Sequence, residues 1–199
     1  MSKFYLDWKQ RAIKDGRGFH VSVGAFSTPI VGGGAGTTIE TTEPEFMISV
    51  PSGTTIMPMR ISVQCQTPLL ATDADESEIL ITWGLGVAWD TTGTSTEEVI
   101  YNLKYGHGRT SLCSAESAFT ADITLESVNE IELARAVITG DMNGTPANAL
   151  WGKLDLLYTP DPMPMITGPA MLTGFWGGTV ATSGFAQIQW LEFASSDVA

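Results

Sequence analysis

The closing stretch SGFAQIQWLEFASSDVA (183–199) sets a carboxylate, Glu192, two residues from an aromatic ring, Trp190, with Gln187 and Gln189 close by. Sugar-cleaving sites are made of such parts. They need two carboxylates about 5–10 Å apart, one as acid and one as nucleophile or base. Asp155 or Glu126 would have to oppose Glu192, and no spacing in the sequence brings either to it. Trp83, Trp89, Trp151, Trp176 and Trp190 offer rings for stacking on a sugar, but most lie in apolar strand contexts where tryptophan serves core or interface. On an extended chain Ala186, Ile188, Trp190 and Glu192 share one face, and Phe185, Gln187, Gln189, Leu191 and Phe193 the other. The stretch therefore reads as a closing strand buried on both sides: core on one, a neighbouring subunit or covering loop on the other. Glu192, near its end, is expected to reach solvent.

Other constellations are weaker. His107, in GHGRT, can serve a nucleophile only if a Ser or Cys is brought to it, and no Gly-x-Ser-x-Gly elbow occurs. Asp73, Asp75, Glu76 and Glu78 alternate as calcium ligands can, without the glycine and distal glutamate of a calcium loop. GGGAGTT (32–38) lacks the lysine of a phosphate loop. Cys65 and Cys113 are too few for a disulfide scaffold and, with only His20 and His107 to join them, for a thiolate metal centre; both read as buried free thiols. Asn143-Gly144-Thr145 reads as a turn. The methionine-rich stretches IMPM (56–59) and PMPMITGPAM (162–171) point to packing. No catalytic residue, cofactor or metal is expected, and the chain reads as a non-enzyme.

The elements that must position these residues are mostly strands. Period-two alternation predicts strands in 19–26, 45–50, 54–66, 78–89, 99–105, 119–125, 148–160 and once or twice in 170–193, with glycine- or proline-rich connections between them, among them loops at 28–38 and 90–98. Pro58 marks an edge or a bulge, and Ile61, Val63 and Cys65 line one face beyond it. The stretch 78–89, the most apolar, is expected to run through the centre of the core. NEIELARAVI (129–138) has helix formers yet suits a strand better beside its neighbours. The fold class is all-β: a two-sheet, jelly-roll-like sandwich over 18–199, preceded by a short N-terminal helix or arm over 1–17. Ser2 can cap that helix, Phe4, Trp8 and Ala12 share a face at i, i+4 spacing, and Gly16 can stop it.

Charge divides the chain the same way. Residues 1–17 hold five basic and two acidic side chains, and the other 182 hold five basic and twenty acidic ones, so an arm of +3 precedes a body of −15. The body repels nucleic acid and anionic membrane, no stretch of about 18 apolar residues offers a membrane span, and the start lacks the apolar core of a secretory signal. The arm suits an acidic protein partner or, equally, its own acidic body. Its candidate anchor residues are Lys3, Phe4, Tyr5, Trp8, Lys9, Arg11, Lys14 and Arg17.

VPSGTTIMPMRISVQ (50–64), the bulky apolar strand after it and GFWGGTVATSGFAQIQWLEF (174–193) resemble the jelly-roll cement, or decoration, proteins of tailed-bacteriophage heads, over about two-thirds of the chain. The resemblance implies a homotrimer on the outer face of an icosahedral capsid, made in the host cytoplasm. It implies binding to the major capsid protein of the same virus, locking of neighbouring shell subunits, and no active site. The alternatives are a carbohydrate-binding head or fibre module and a single jelly-roll protein that forms the shell itself.

Overall fold

Alternating apolar residues need two sheets to bury one face each, and the chain forms two. The computed structural model describes residues 7–33, 39–68, 76–85, 94–120, 130–139, 151–179 and 182–198. Among these, one helix, α1 (Trp8–Lys14), is followed by β1 (Gly18–Val23), β2 (Ile30–Val31), β3 (Phe46–Val50), β4 (Thr54–Pro68), β5 (Glu76–Leu85), β6 (Thr96–Glu97) and β7 (Tyr101–Asn102). Then come β8 (Ser114–Ser117), β9 (Glu130–Thr139), β10 (Trp151–Tyr158), β11 (Ile166–Thr167), β12 (Ala170–Gly178), β13 (Ser183–Ala194) and a closing 3₁₀ turn, Ser195–Asp197. One sheet runs β10-β4-β13-β1-β7, with β11 on β4 and β2 on β13; the other runs β6-β8-β3-β12-β5-β9. All named strand pairs are antiparallel. Long strands change sheet as the chain proceeds, β3 to β4 to β5, β9 to β10 and β12 to β13, so the fold is an all-β, two-sheet sandwich with a short N-terminal helix.

The core lies between the sheets. Phe19, Val21 and Val23 of β1, Ile61, Val63 and Cys65 of β4, and Ile188 and Trp190 of β13 meet Phe46, Ile48, Ile79, Ile81, Leu172 and Trp176 of the other sheet. Phe19 packs on Trp190 and Phe46 on Trp176, with centroids 6.1 and 6.4 Å apart. Cys65 and Cys113 are both buried and free. The doubly buried strand is β12, whose nine residues are all buried. Gly174 makes this possible, because a Cβ there would lie 2.0 Å from the Phe46 ring. On the outer side Met47 and Met171 pack with Phe119.

Several expectations shift. The closing region is two strands in opposite sheets, β12 and β13. Pro58 sits on an inner strand, at a bulge: Gln189 pairs with Arg60 and Trp190 with Pro58, which leaves Met59 as the extra residue. β5 is second from the sheet edge, and β3 and β12 hold the middle. The 99–105 strand shrinks to Tyr101–Asn102, and short β2 and β6 arise inside the expected loops. Residues 86–89 and 121–125 lie outside the described residues, as do Asp73, Asp75, Glu126 and Asn143-Gly144-Thr145. β9 is a strand, and its pairing slips at Leu133, where Ile81 faces Ala134 and Thr82 faces Glu132. That bulge brings Leu133 and Ala134 both against the core and imitates helical spacing. α1 is capped by Asp7 rather than Ser2: the Asp7 Oδ1 accepts from the Gln10 N–H at 2.7 Å.

Candidate partner-binding face

Glu192 points into the sandwich and is fully buried, which overturns the expectation that it reaches solvent. Its carboxylate accepts from the Ser111 hydroxyl at 2.6 Å and the Leu112 N–H at 3.1 Å, and its own N–H donates to the Arg17 carbonyl at 2.8 Å. Ser111 in turn accepts from the Cys113 N–H at 3.0 Å, and burial pushes the Cys113 thiol far up, so it stays protonated. Glu192 ties the 103–113 connection to the end of β13. Asp155 does not oppose it. Asp155 pairs along β4 with Gln64 and Glu192 with Ile56, eight residues apart or about 26 Å of strand. Asp155 is turned outward, paired with Lys153 at 2.6 Å. Trp176 and Trp190 are fully buried and cannot stack on a sugar, and the Trp176 indole N–H donates to the Ile30 carbonyl. Gln187 and Gln189 lie on the outer face of β13, beside Ser22 and His20 of β1.

Among the described residues, neither histidine meets a nucleophile with an orienting acid. His20 Nε2 is 3.3 Å from the Ser22 hydroxyl, and burial lowers its pKa. His107 lies against Gly16 and accepts the Arg109 N–H on Nδ1. Glu78 is held by Arg135, which also holds Glu132.

What the topology does assemble is a corner. α1 ends in a paired C-cap: the Gly16 N–H reaches the Ile13 carbonyl and the Arg17 N–H the Ala12 carbonyl, both at 2.9 Å, with Gly16 at φ +75°. Ala12 is buried, and Ile13 fills the space that a side chain at Gly18 would need, so the helix lies on the start of β1. The connection between β7 and β8 folds over the same place. Asn102 donates to the carbonyls of Gly16 and Arg109, the Leu103 N–H to that of Gly18, and the Lys104 ammonium to that of Lys14 at 2.6 Å.

The corner thereby gathers Lys9, Arg11, Lys14 and Arg17 with Lys104 and Arg109, six of the ten basic residues of the chain. Acidic groups at the same corner include Asp7 and Asp15 of the α1 segment, Asp197, and the buried Glu192 beneath it. Arg17 bonds Asp197 at 2.9 Å and lies over the Phe193 ring, so it serves its own body. Lys9 stands 6.0 Å over the Trp8 ring. Trp8 is 52% exposed, Tyr101 60% and Leu112 66%, and Tyr105 is wholly exposed. Of the anchor residues expected from sequence, Trp8, Lys9, Arg11, Lys14 and Arg17 are at this corner, while Lys3, Phe4 and Tyr5 lie outside the described residues. Lys104, Tyr105 and Arg109 join them at the corner without being among the anchor residues expected from the sequence. Their only signal in the sequence is a basic, glycine-bounded loop, KYGHGR, far along the chain from the arm.

No family model, curated protein or solved structure matches this chain.

Proposed function

We propose that this protein is a structural virion component, a cement or decoration protein on the outside of a phage head, which docks on shell subunits through the basic, aromatic corner. One observation carries the reading: a molecule of net charge −12 collects six cationic side chains and four exposed apolar or aromatic ones around α1 and the β7–β8 connection. Trp, Tyr and Arg, here the exposed Trp8, Tyr101, Tyr105 and Arg11 and the half-buried Arg109, are the residue types enriched in protein-binding hot spots. Exposed ion pairs contribute only about 0–1 kcal/mol each, so Trp8, Tyr105 and Leu112 would supply the larger part by burial, and the cations orientation and on-rate. The partner in this reading is the major capsid protein, with the chain acting as a homotrimer and without catalysis. The likeness of 50–64 and 174–193 to head-decoration proteins is what suggests the partner in this reading, and the corner is the surface proposed to meet it.

Co-sedimentation with undecorated heads of the same virus tests it. Intact protein should pellet with the heads. A variant carrying K14E, K104E and R109E should stay in the supernatant while keeping its own fold by circular dichroism. Equal decoration by both would remove the corner from the account.

A further inference from the structure

Glu45, just before β3, is 3% exposed, yet among the described residues no cation is paired with it. Its two carboxylate oxygens are divided between two chain segments. Oε1 accepts the Gly33 N–H at 2.7 Å, and Oε2 accepts the Trp176 N–H of β12 at 2.8 Å. Its own N–H donates to the Gly174 carbonyl, and its carbonyl accepts from Ala118.

Ile30–Gly33 is fitted to β12 closely enough that only glycine serves. A Cβ on Gly32 would fall 1.8 Å from the Trp176 carbonyl oxygen, and one on Gly177 would fall 2.5 Å from that of Gly33. The Ile30 carbonyl takes the Trp176 indole N–H, and the Gly32 N–H reaches the Thr182 carbonyl. Glu45 thus bonds both sides of this seam at the backbone. The titratable groups facing it are Glu43 of its own segment and Cys65 of β4, with Glu40 beside Gly33; β12 and the end of β8 present Gly174, Trp176 and Ala118, which do not titrate.

We propose that Glu45 is a pH-sensitive latch: ionised, it weakens the seam, and Ile30–Gly33 lifts from β12 as pH rises while the rest of the sandwich stays folded. A buried carboxylate is costly when charged unless it is paired. Desolvation is the largest influence and drives its pKa well above the usual carboxylate range; Glu43 adds to it, and the N–H groups of Gly33, Trp176 and Glu45 itself oppose it. The closed seam therefore holds the neutral acid better than the lifted one does. Its stability is complete below the ordinary carboxylate range and lost as pH rises through the value in the closed state.

Amide hydrogen exchange by NMR, corrected for intrinsic rate, tests it. In the wild type the protection of the Gly33 and Trp176 amides should fall with pH, by at most about tenfold per unit, and then level off, while Ile188 in β13 stays constant. E45Q should start from lower protection and show no such fall. E43Q, at a more tolerant position, should show a smaller fall than the wild type. Protection at Gly33 that is flat in the wild type, or that follows Ile188, would overturn the latch. So would an undiminished fall in E45Q or, should E45Q not fold, in E43Q.

Discussion

At the scale of single residues, the two carboxylates that suggested a sugar site have opposite fates. Glu192 is sealed in, and its neighbours spend a hydroxyl and an N–H on it; Asp155 stands on the outer face beside Lys153. An amide in place of the buried carboxylate sets an NH2 group where an oxygen accepts from the Ser111 hydroxyl and the Leu112 N–H, so Glu192→Gln should destabilise the fold by about 1–3 kcal/mol. Asp155→Asn should stay within about 0.5 kcal/mol. Urea unfolding of the two variants checks this, and equal effects would contradict the assignment. Period two placed Glu192 on the face of Trp190 from sequence alone. Its burial was not legible, because Ser111 and Leu112 come from 80 residues earlier in the chain and only the folded topology delivers them.

At the scale of elements, the irregularities are where reading by period fails and where the fold is specified. The β9 bulge at Leu133 breaks alternation and mimics a helix, and the bulge at Met59 lets Pro58 sit on an inner strand. The β9 slip is a pairing event with β5 and invisible in β9 itself, whereas Pro58 marks an edge or a bulge in the sequence and only its pairing with β13 decides for the bulge. The α1 stop was legible, since Gly16 marked it, but the reason for a glycine there is double: its positive φ, and the His107 ring, which would come within 2.2 Å of a Cβ. Gly16→Ala should therefore cost more than the roughly 1 kcal/mol of a left-handed alanine and should loosen α1 from the 103–109 connection. Exchange of the Leu103 and Arg17 amides should accelerate in that variant, and unchanged rates would show that the contact does not hold the corner. At the same scale, wild-type stability measured against E45Q should lose ground as pH rises above the carboxylate range, the direction that a raised Glu45 pKa requires.

At the scale of the whole molecule, the sequence showed a basic arm on an acidic body, and the fold joins Lys104, Tyr105 and Arg109 to that arm across 90 residues. Three-dimensional charge segregation could not be read from the arm alone. It depends on β7 pairing with β1 beside the helix. A positive corner on a molecule of net −12 should bind its partner in a salt-dependent way, with the rate of association falling as ionic strength rises. Trp8→Ala should weaken binding by roughly tenfold or more if the ring is buried on docking, through a faster off-rate. The most direct test of the central claim is the co-sedimentation of undecorated heads with intact protein and with the triple charge-reversed corner, K14E, K104E and R109E. Heads should pellet the intact protein and leave the folded variant in solution. Heads that take up both alike, or neither, would contradict it.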